Sequence, residues 1–313
     1  MILSVSRRTD IPCFYSEWFF NRLKEGFLYV RNPMNPHQIS RIELSPKLID
    51  CIVFWTKNPE PMIERIDELK EYPFYFQFTL TGYGRDIEPC VPHKKEKMLP
   101  VFQRLSQKIG AERIIWRYDP ILFTPKYTPG YHVKAFQQIA GDLNGYTKRC
   151  VVSFVDTYAK IQKNLNAVQL QTPTEEEQKH FAGALSKIAQ ENDITVTACA
   201  EALDLKACGI LPSCCIDKQL IEQLIGCRMN VGKDKNQRKE CGCIESIDIG
   251  TYNTCKNGCL YCYANYSTES VIRNCQNYDI NSPLLCGTVG EQDKIVQRML
   301  KSLKNGQLSL LDN

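Results

Sequence analysis

With 313 residues, 43% of them hydrophobic, the chain can bury a large core, and one large domain with at most a small appendage is expected. A net charge of +4 is mildly basic and does not of itself argue for nucleic acid. No apolar run approaches the roughly 20 residues of a membrane helix, and MILSVSRRTD lacks the apolar core and cleavage site of a secretory signal, so no membrane partner and a cytoplasmic location are expected.

Runs rich in β-branched and aromatic residues alternate with apolar stripes at helical spacing. ILSVS (2–6) is the first expected strand, followed by the stripe Phe14, Trp18, Phe19 and Leu23. CIVFWT (51–56) and FYFQFTLT (74–81) come next, then Leu99, Phe102, Leu105 and Ile109 on a helix face. RIIWRY (113–118) precedes Val133, Phe136, Ile139 and Leu143; CVVSFVD (150–156) precedes Phe181, Leu185 and Ile188, whose helix opens on a Thr174/Glu177 capping box. ITVTACA (194–200), a stripe of Leu220, Leu224 and Ile225, and IESIDIG (244–250) follow. A helix is expected to start near Asn265, and a last one, DKIVQRMLKSL, to end at Asn305–Gly306.

Near-continuous apolar strands alternating with helices imply a parallel sheet with crossover helices. The expected fold is α/β, closing into a full or partial (β/α) barrel, with an open doubly wound sheet as the rival. Residues 1–200 would supply barrel strands and a pocket, 201–243 a cysteine-rich insertion, 244–304 the last strand and helices, and 305–313 a tail. Polar residues follow nearly every strand: Arg7, Arg8, Thr9 and Asp10; Thr56, Lys57 and Asn58; Thr79, Thr81 and Tyr83; Arg117 and Asp119; Asp156; Cys199 and Glu201. In barrels such strand ends line the active-site mouth.

Ten of the 16 cysteines lie between residues 199 and 262, which places the cysteine chemistry in the last third. In a reducing compartment close spacing points to metal or redox work. Cys13, Cys51, Cys90, Cys150, Cys275 and Cys286 stand alone and read as small core hydrophobes. Cys90 could also be a hydrogen donor. Cys255, Cys259 and Cys262 stand at CxxxCxxC spacing in TCKNGCLYC, with Gly258 allowing the loop to bend. Three cysteines on a four-iron cluster leave one iron for an exogenous ligand. Structural zinc needs four ligands, and no histidine follows His180.

CxxxCxxC with Tyr261 before the last cysteine resembles the radical S-adenosylmethionine superfamily signature. The resemblance implies a 4Fe-4S cluster on Cys255, Cys259 and Cys262, S-adenosylmethionine on the open iron, adenine contact for Tyr261, and a 5′-deoxyadenosyl radical. That superfamily carries the loop after its first barrel strand. Here SRRTDIP, FWTKNP, TLTGYGRDIEP and IIWRYDPIL resemble later strand ends of the spore photoproduct lyase-like branch, which implies a circular permutation with IESIDIG beside ILSVS. By the same analogy Thr9 and Asp10 would bind the methionine ammonium, Thr79 and Thr81 the ribose or carboxylate, and Arg117 the carboxylate. A structural ion pair is the alternative for Asp10 or Arg117, and the superfamily's Gly-Gly-Glu motif is not recognisable. The whole chain also resembles an uncharacterised bacterial domain family. That likeness singles out Cys199, Cys215, Cys241 and Cys243, which could hold a second 4Fe-4S cluster, a zinc ion, or no metal.

GKDKNQRKE (232–240) reads as a solvated basic loop or a phosphate contact. Gln307, Leu308, Ser309, Leu310 and Leu311 resemble the bacterial sliding-clamp-binding peptide, which would point to DNA. The function expected is therefore a radical enzyme acting on an unknown substrate, with a nucleic-acid lesion as first choice and an electron donor such as flavodoxin or ferredoxin as partner. The alternative is a non-catalytic iron–sulfur or zinc redox sensor docking on a replication partner.

Overall fold

A computed structural model describes residues 1–305, so Gly306 and the Gln307–Leu311 peptide lie outside the described residues. Among the described residues there are eleven strands: β1 (Ile2–Val5), β2 (Phe27–Arg31), β3 (Gln38–Glu43), β4 (Cys51–Thr56), β5 (Phe74–Thr79), β6 (Ile114–Ile121), β7 (Arg149–Phe154), β8 (Thr195–Cys199), β9 (Leu211–Ser213), β10 (Ile247–Asp248) and β11 (Lys294–Gln297). The helices are α1 (Ile11–Phe14), α2 (Ser16–Glu25), α3 (Glu60–Ile63), α4 (Leu99–Ile109), α5 (Pro129–Leu143), α6 (Gln162–Ala167), α7 (Glu175–Gln190), α8 (Lys218–Ile225) and α9 (Thr268–Gln276). The capping box read from the sequence is formed at the start of α7 by Thr174 and Glu177. None of the described helices is long and apolar enough to cross a membrane.

Eight strands form one parallel sheet in the order β10-β1-β4-β5-β6-β7-β8-β9. From β1 to β9 the order advances in one direction, so this run is singly rather than doubly wound, and only β10 returns to the opposite edge beside β1. Crossovers of one hand that always step the same way put the helices on one face. The period-2 alternation bears this out. Leu3, Phe54, Phe76, Trp116 and Val152 pack in the large core with Trp18, Phe19, Phe102, Phe136 and Leu185 of the helices. Ile2, Cys51, Val53, Tyr75, Ile115 and Val151 face the other way. That second face is covered by the cysteine-rich segment, through Cys215, Ile216, Leu220, Ile221, Met229, Cys243 and Ile244. The segment expected as an insertion is thus the filling of the sheet's inner face.

Two expectations need correction. DKIVQRMLKSL is not a helix: Lys294–Gln297 forms β11, parallel to β3 in a separate sheet of order β11-β3-β2. Adjacent β-branched Ile295 and Val296 complete the open edge of β3, and Arg31 grips Asp293 with two bonds of 2.8 Å just before the strand. Tertiary pairing here overrides a weak helical period. The solitary cysteines are also not all core residues: Cys51 and Cys150 are buried, Cys13, Cys275 and Cys286 are intermediate, and Cys90 is exposed.

On α5, His132 is fully buried, with Nε2 3.0 Å from the Leu122 carbonyl and Nδ1 2.8 Å from the Tyr118 hydroxyl. A carbonyl only accepts, so Nε2 carries the proton and Nδ1 accepts from Tyr118. Burial pushes the imidazolium down to about 4, with the bond to Leu122 opposing. Above the unfolded value of about 6.5 both states are neutral and the group is silent. As pH falls from there toward 4, only the unfolded chain takes the proton, and the native state should lose stability, on the order of 3 kcal/mol in all. Urea midpoints measured from pH 7 to pH 4 should show this fall, and His132→Asn should flatten it.

Candidate functional site

The last strand of the parallel sheet is two residues long and is held by one carboxylate. Asp248 accepts bonds from the Ser4 hydroxyl (2.7 Å), the Ser6 hydroxyl (2.5 Å), and the amides of Arg7 (2.9 Å) and Gly250 (3.0 Å). The Arg7 and Arg8 side chains stand 3.8 and 4.0 Å from it. The chain then passes so close to β1 that a Cβ on Gly250 would meet Ser6 Oγ and lie 2.7 Å from Ser6 Cβ. This approach delivers TCKNGCLYC to the carboxyl ends of the strands.

Asp10 fixes that loop. Its buried carboxylate accepts from the amides of Lys57 (2.8 Å) and Cys13 (3.1 Å) and from Asn257 Nδ2 (3.1 Å), joining the ends of β1 and β4 to the cysteine loop. Burial raises its carboxyl to about 6 against these bonds. Gly258 has φ +67° over the ring of Pro89, a left-handed turn that favours glycine. Backbone bonds from Leu260 to Ile87 (3.0 Å) and from Cys90 to Asn257 (3.2 Å) close the loop onto the segment after β5. Burial pushes all three thiols up, Cys259 to about 12, with Lys57 opposing there.

Behind the loop lies Glu88, fully buried. It accepts from Lys57 (2.7 Å) and Thr81 (3.0 Å) and is also bonded by Lys94 and the Tyr261 hydroxyl. Burial alone would raise its carboxyl, but the two ammonium groups overcome that and hold it near 2. Tyr261 is thereby locked by its hydroxyl, with Lys57 Nζ 5.4 Å from the ring centre.

The second cysteine set meets the same region from β8, from the loop after β9 and from the segment before β10. Cys199 Sγ and Cys215 Sγ are 3.0 Å apart, and Cys243 Sγ accepts from the Ile216 amide at 3.4 Å. Arg117 binds Asp119 through Nε (2.8 Å) and Nη2 (2.5 Å), while Nη1 reaches Gln77 (3.2 Å) and Cys215 Sγ (2.9 Å). Four of its five N–H donors are therefore engaged beside the second set.

All seven named cysteines line one cavity of about 420 Å³, within the range of small-ligand sites. Thr9, Asp10, Thr79, Arg117 and Tyr261 line it too; Thr81 and Cys90 do not. Thr81 is spent on Glu88 instead. The Thr9 hydroxyl is buried, borders the cavity and has no hydrogen-bond partner. A three-thiol loop with an orphaned hydroxyl beside it fits a thiolate-ligated cluster with a polar cosubstrate. Among the described residues no three His, Cys, Asp or Glu side chains already surround a point that could hold a single metal ion. Asp248, Glu88, Asn257 and Tyr263 were not legible as site residues. Only the SxS of β1 facing an acid on the last strand could have signalled Asp248.

The molecule is thus an α/β protein whose parallel strands end in a cysteine-lined cavity. Residues 2–264 match the family model described as a domain of unknown function (DUF1848), and the chain belongs to that family. The match takes in the whole parallel sheet and the CxxxCxxC loop, and stops before α9 and β11. No curated protein and no solved structure matches the chain.

Asp248→Ala should strand two seryl hydroxyls and two arginines, at a cost of about 3–5 kcal/mol in the range for a broken buried pair. A lowered urea midpoint, with faster thiol labelling, is the expected result. An unchanged midpoint would mean that β10 is held by something else.

Proposed function

We propose that the protein is a radical S-adenosylmethionine enzyme built on a permuted partial (β/α) barrel. The observation that carries this reading is the convergence of Cys255, Cys259, Cys262 and the unpartnered Thr9 hydroxyl on one cavity at the strand ends. The parallel pairing of Leu3 with Ile247 and Ser4 with Asp248 supports a first strand supplied from the C-terminal part of the chain.

Cys255, Cys259 and Cys262 would hold three irons of a 4Fe-4S cluster. The chemistry such a cluster supplies is one electron, from a donor such as flavodoxin or ferredoxin, for reductive cleavage of S-adenosylmethionine to the 5′-deoxyadenosyl radical that takes hydrogen from substrate. The residues do the rest. Thr9 offers the free hydroxyl to the methionine end of the cosubstrate, and Thr79 a second polar group on the same wall. Asp10, already bonded to three donors, keeps the loop in place. Tyr261, locked by Glu88, presents a rigid ring to the adenine.

For the substrate we favour an unpaired, damaged nucleobase. Exposed Tyr158 and Tyr263 border the cavity, their ring centres 5.7 Å apart, and Lys160 lies 4.6 Å over exposed Tyr266. The basic segment 232–240 reaches the same mouth through Asn236, Gln237 and Arg238, the last paired with Asp156 at 2.5 Å. Aromatic faces beside cations suit a single-stranded nucleic acid, with stacking worth about 1–3 kcal/mol per base.

Dithionite-reduced, anaerobically reconstituted protein should release 5′-deoxyadenosine from S-adenosylmethionine, and Cys255→Ala should abolish it. No cleavage by protein with an intact cluster would sink the enzyme and favour a redox sensor. Separately, a labelled single-stranded oligonucleotide should bind in fluorescence anisotropy, more weakly as salt rises. Tyr158→Ala should weaken it roughly 5- to 150-fold, the range of one lost stack. Absence of binding would remove the nucleobase and leave the cleavage chemistry untouched.

A further inference from the structure

Seven cysteines lie between residues 199 and 243, and the fold gathers four of them. Cys199, Cys215, Cys241 and Cys243 are buried and line the cavity; Cys208, Cys214 and Cys227 do not line it. Cys199 Sγ and Cys215 Sγ are 3.0 Å apart, and Cys243 Sγ accepts from the amide of Ile216, the residue after Cys215, at 3.4 Å. All four are free thiols, and 3.0 Å is well beyond the roughly 2.05 Å of a disulfide.

The surroundings are built around these sulfurs. Tyr75 Oη (2.6 Å) and Gln77 Nε2 (2.9 Å) both donate to the Cys215 carbonyl, fixing that residue against the inner face of the sheet. The Arg117 guanidinium stands 2.9 Å from Cys215 Sγ, and half-buried Arg7 lies within charge range of Cys243 and Cys215. Two guanidinium groups beside four thiols offset the negative charge that four thiolates would carry in a low-dielectric wall. A packing role for four cysteines would not need a buried guanidinium hydrogen-bonded to one of them.

We propose that Cys199, Cys215, Cys241 and Cys243 bind a second four-iron four-sulfur cluster, bordering the same cavity as the Cys255–Cys262 loop. A structural zinc site is closed off by its ligands, whereas these four border an open cavity. Four cysteines, one per iron, leave no vacant iron, so this cluster transfers electrons or packs against a bound molecule and does not chelate a cosubstrate. The assignment stands whether or not the first loop takes S-adenosylmethionine.

Metal content decides it without any assay of turnover. Anaerobically purified protein should hold about eight irons and eight sulfides per chain. Cys241→Ala should lower both to about four, and Cys214→Ala should leave both unchanged. The triple variant Cys255→Ala, Cys259→Ala, Cys262→Ala should retain about four irons and a reducible cluster signal in electron paramagnetic resonance. Iron that stops at about four in the intact chain and is lost completely in the triple variant would overturn the proposal. So would zinc in place of iron after Cys255, Cys259 and Cys262 are removed. If the triple variant does not fold, the comparison of the intact chain with Cys241→Ala still gives the answer.

Discussion

The site depends on one carboxylate. β10 contributes two ladder residues, too little main-chain pairing to hold a strand at the edge of an eight-stranded sheet. Asp248 supplies the rest by collecting four donors from β1, its loop and Gly250. It works because the inner face of β1 is seryl where it meets β10: Ser4 and Ser6 point toward the acid, while Leu3 and Val5 go to the core. The CxxxCxxC loop that follows β10, with its three cysteines, inherits its position from that clasp and from Asp10.

The inner face of the sheet changes character along the strands. At the amino ends it is apolar, with Ile2, Cys51, Val53 and Ile115 under the cysteine-rich segment. At the carboxyl ends it turns polar through Ser6, Thr79, Arg117, Asp119 and Ser153, all on the cavity wall. One period-2 pattern therefore does two jobs. It buries the filling segment and it leaves a polar rim where chemistry can occur. The cysteine-rich segment crosses this boundary, with Ile216 and Ile221 in the apolar half and Cys199, Cys215, Cys241 and Cys243 at the edge of the wet half.

Much of this was legible because local pattern and final environment agree. CIVFWT is a strand at its predicted residues because both of its faces are buried. IESIDIG shrinks to Ile247–Asp248 because Asp248, rather than further ladder bonds, completes the pairing. FLYVR and QISRIE were missed as strands: only their Leu28, Ile39 and Ile42 are buried, so the alternation is shallow. β11 read as a helix since its partner lies more than 250 residues away. The same distance hid the site's supports. Glu88 reaches Tyr261 across 173 residues, and Asp10 reaches Asn257 across 247. Spacing could point to the cysteines, but the groups that hold them are joined only by folding.

The order of strands also sets a schedule. Ser4 waits for a partner 244 residues downstream, so during synthesis the outer edge of β1 stays unpaired until almost the whole sheet exists. At about 5–20 residues per second that interval lasts roughly 12–50 s. An open parallel edge is a template for unwanted pairing. The cysteine loop leaves the ribosome after the strands whose ends it meets are complete, so assembly of the cavity wall and closure of that edge become one late event. Nascent chains held at that step would be the population exposed to aggregation and proteolysis.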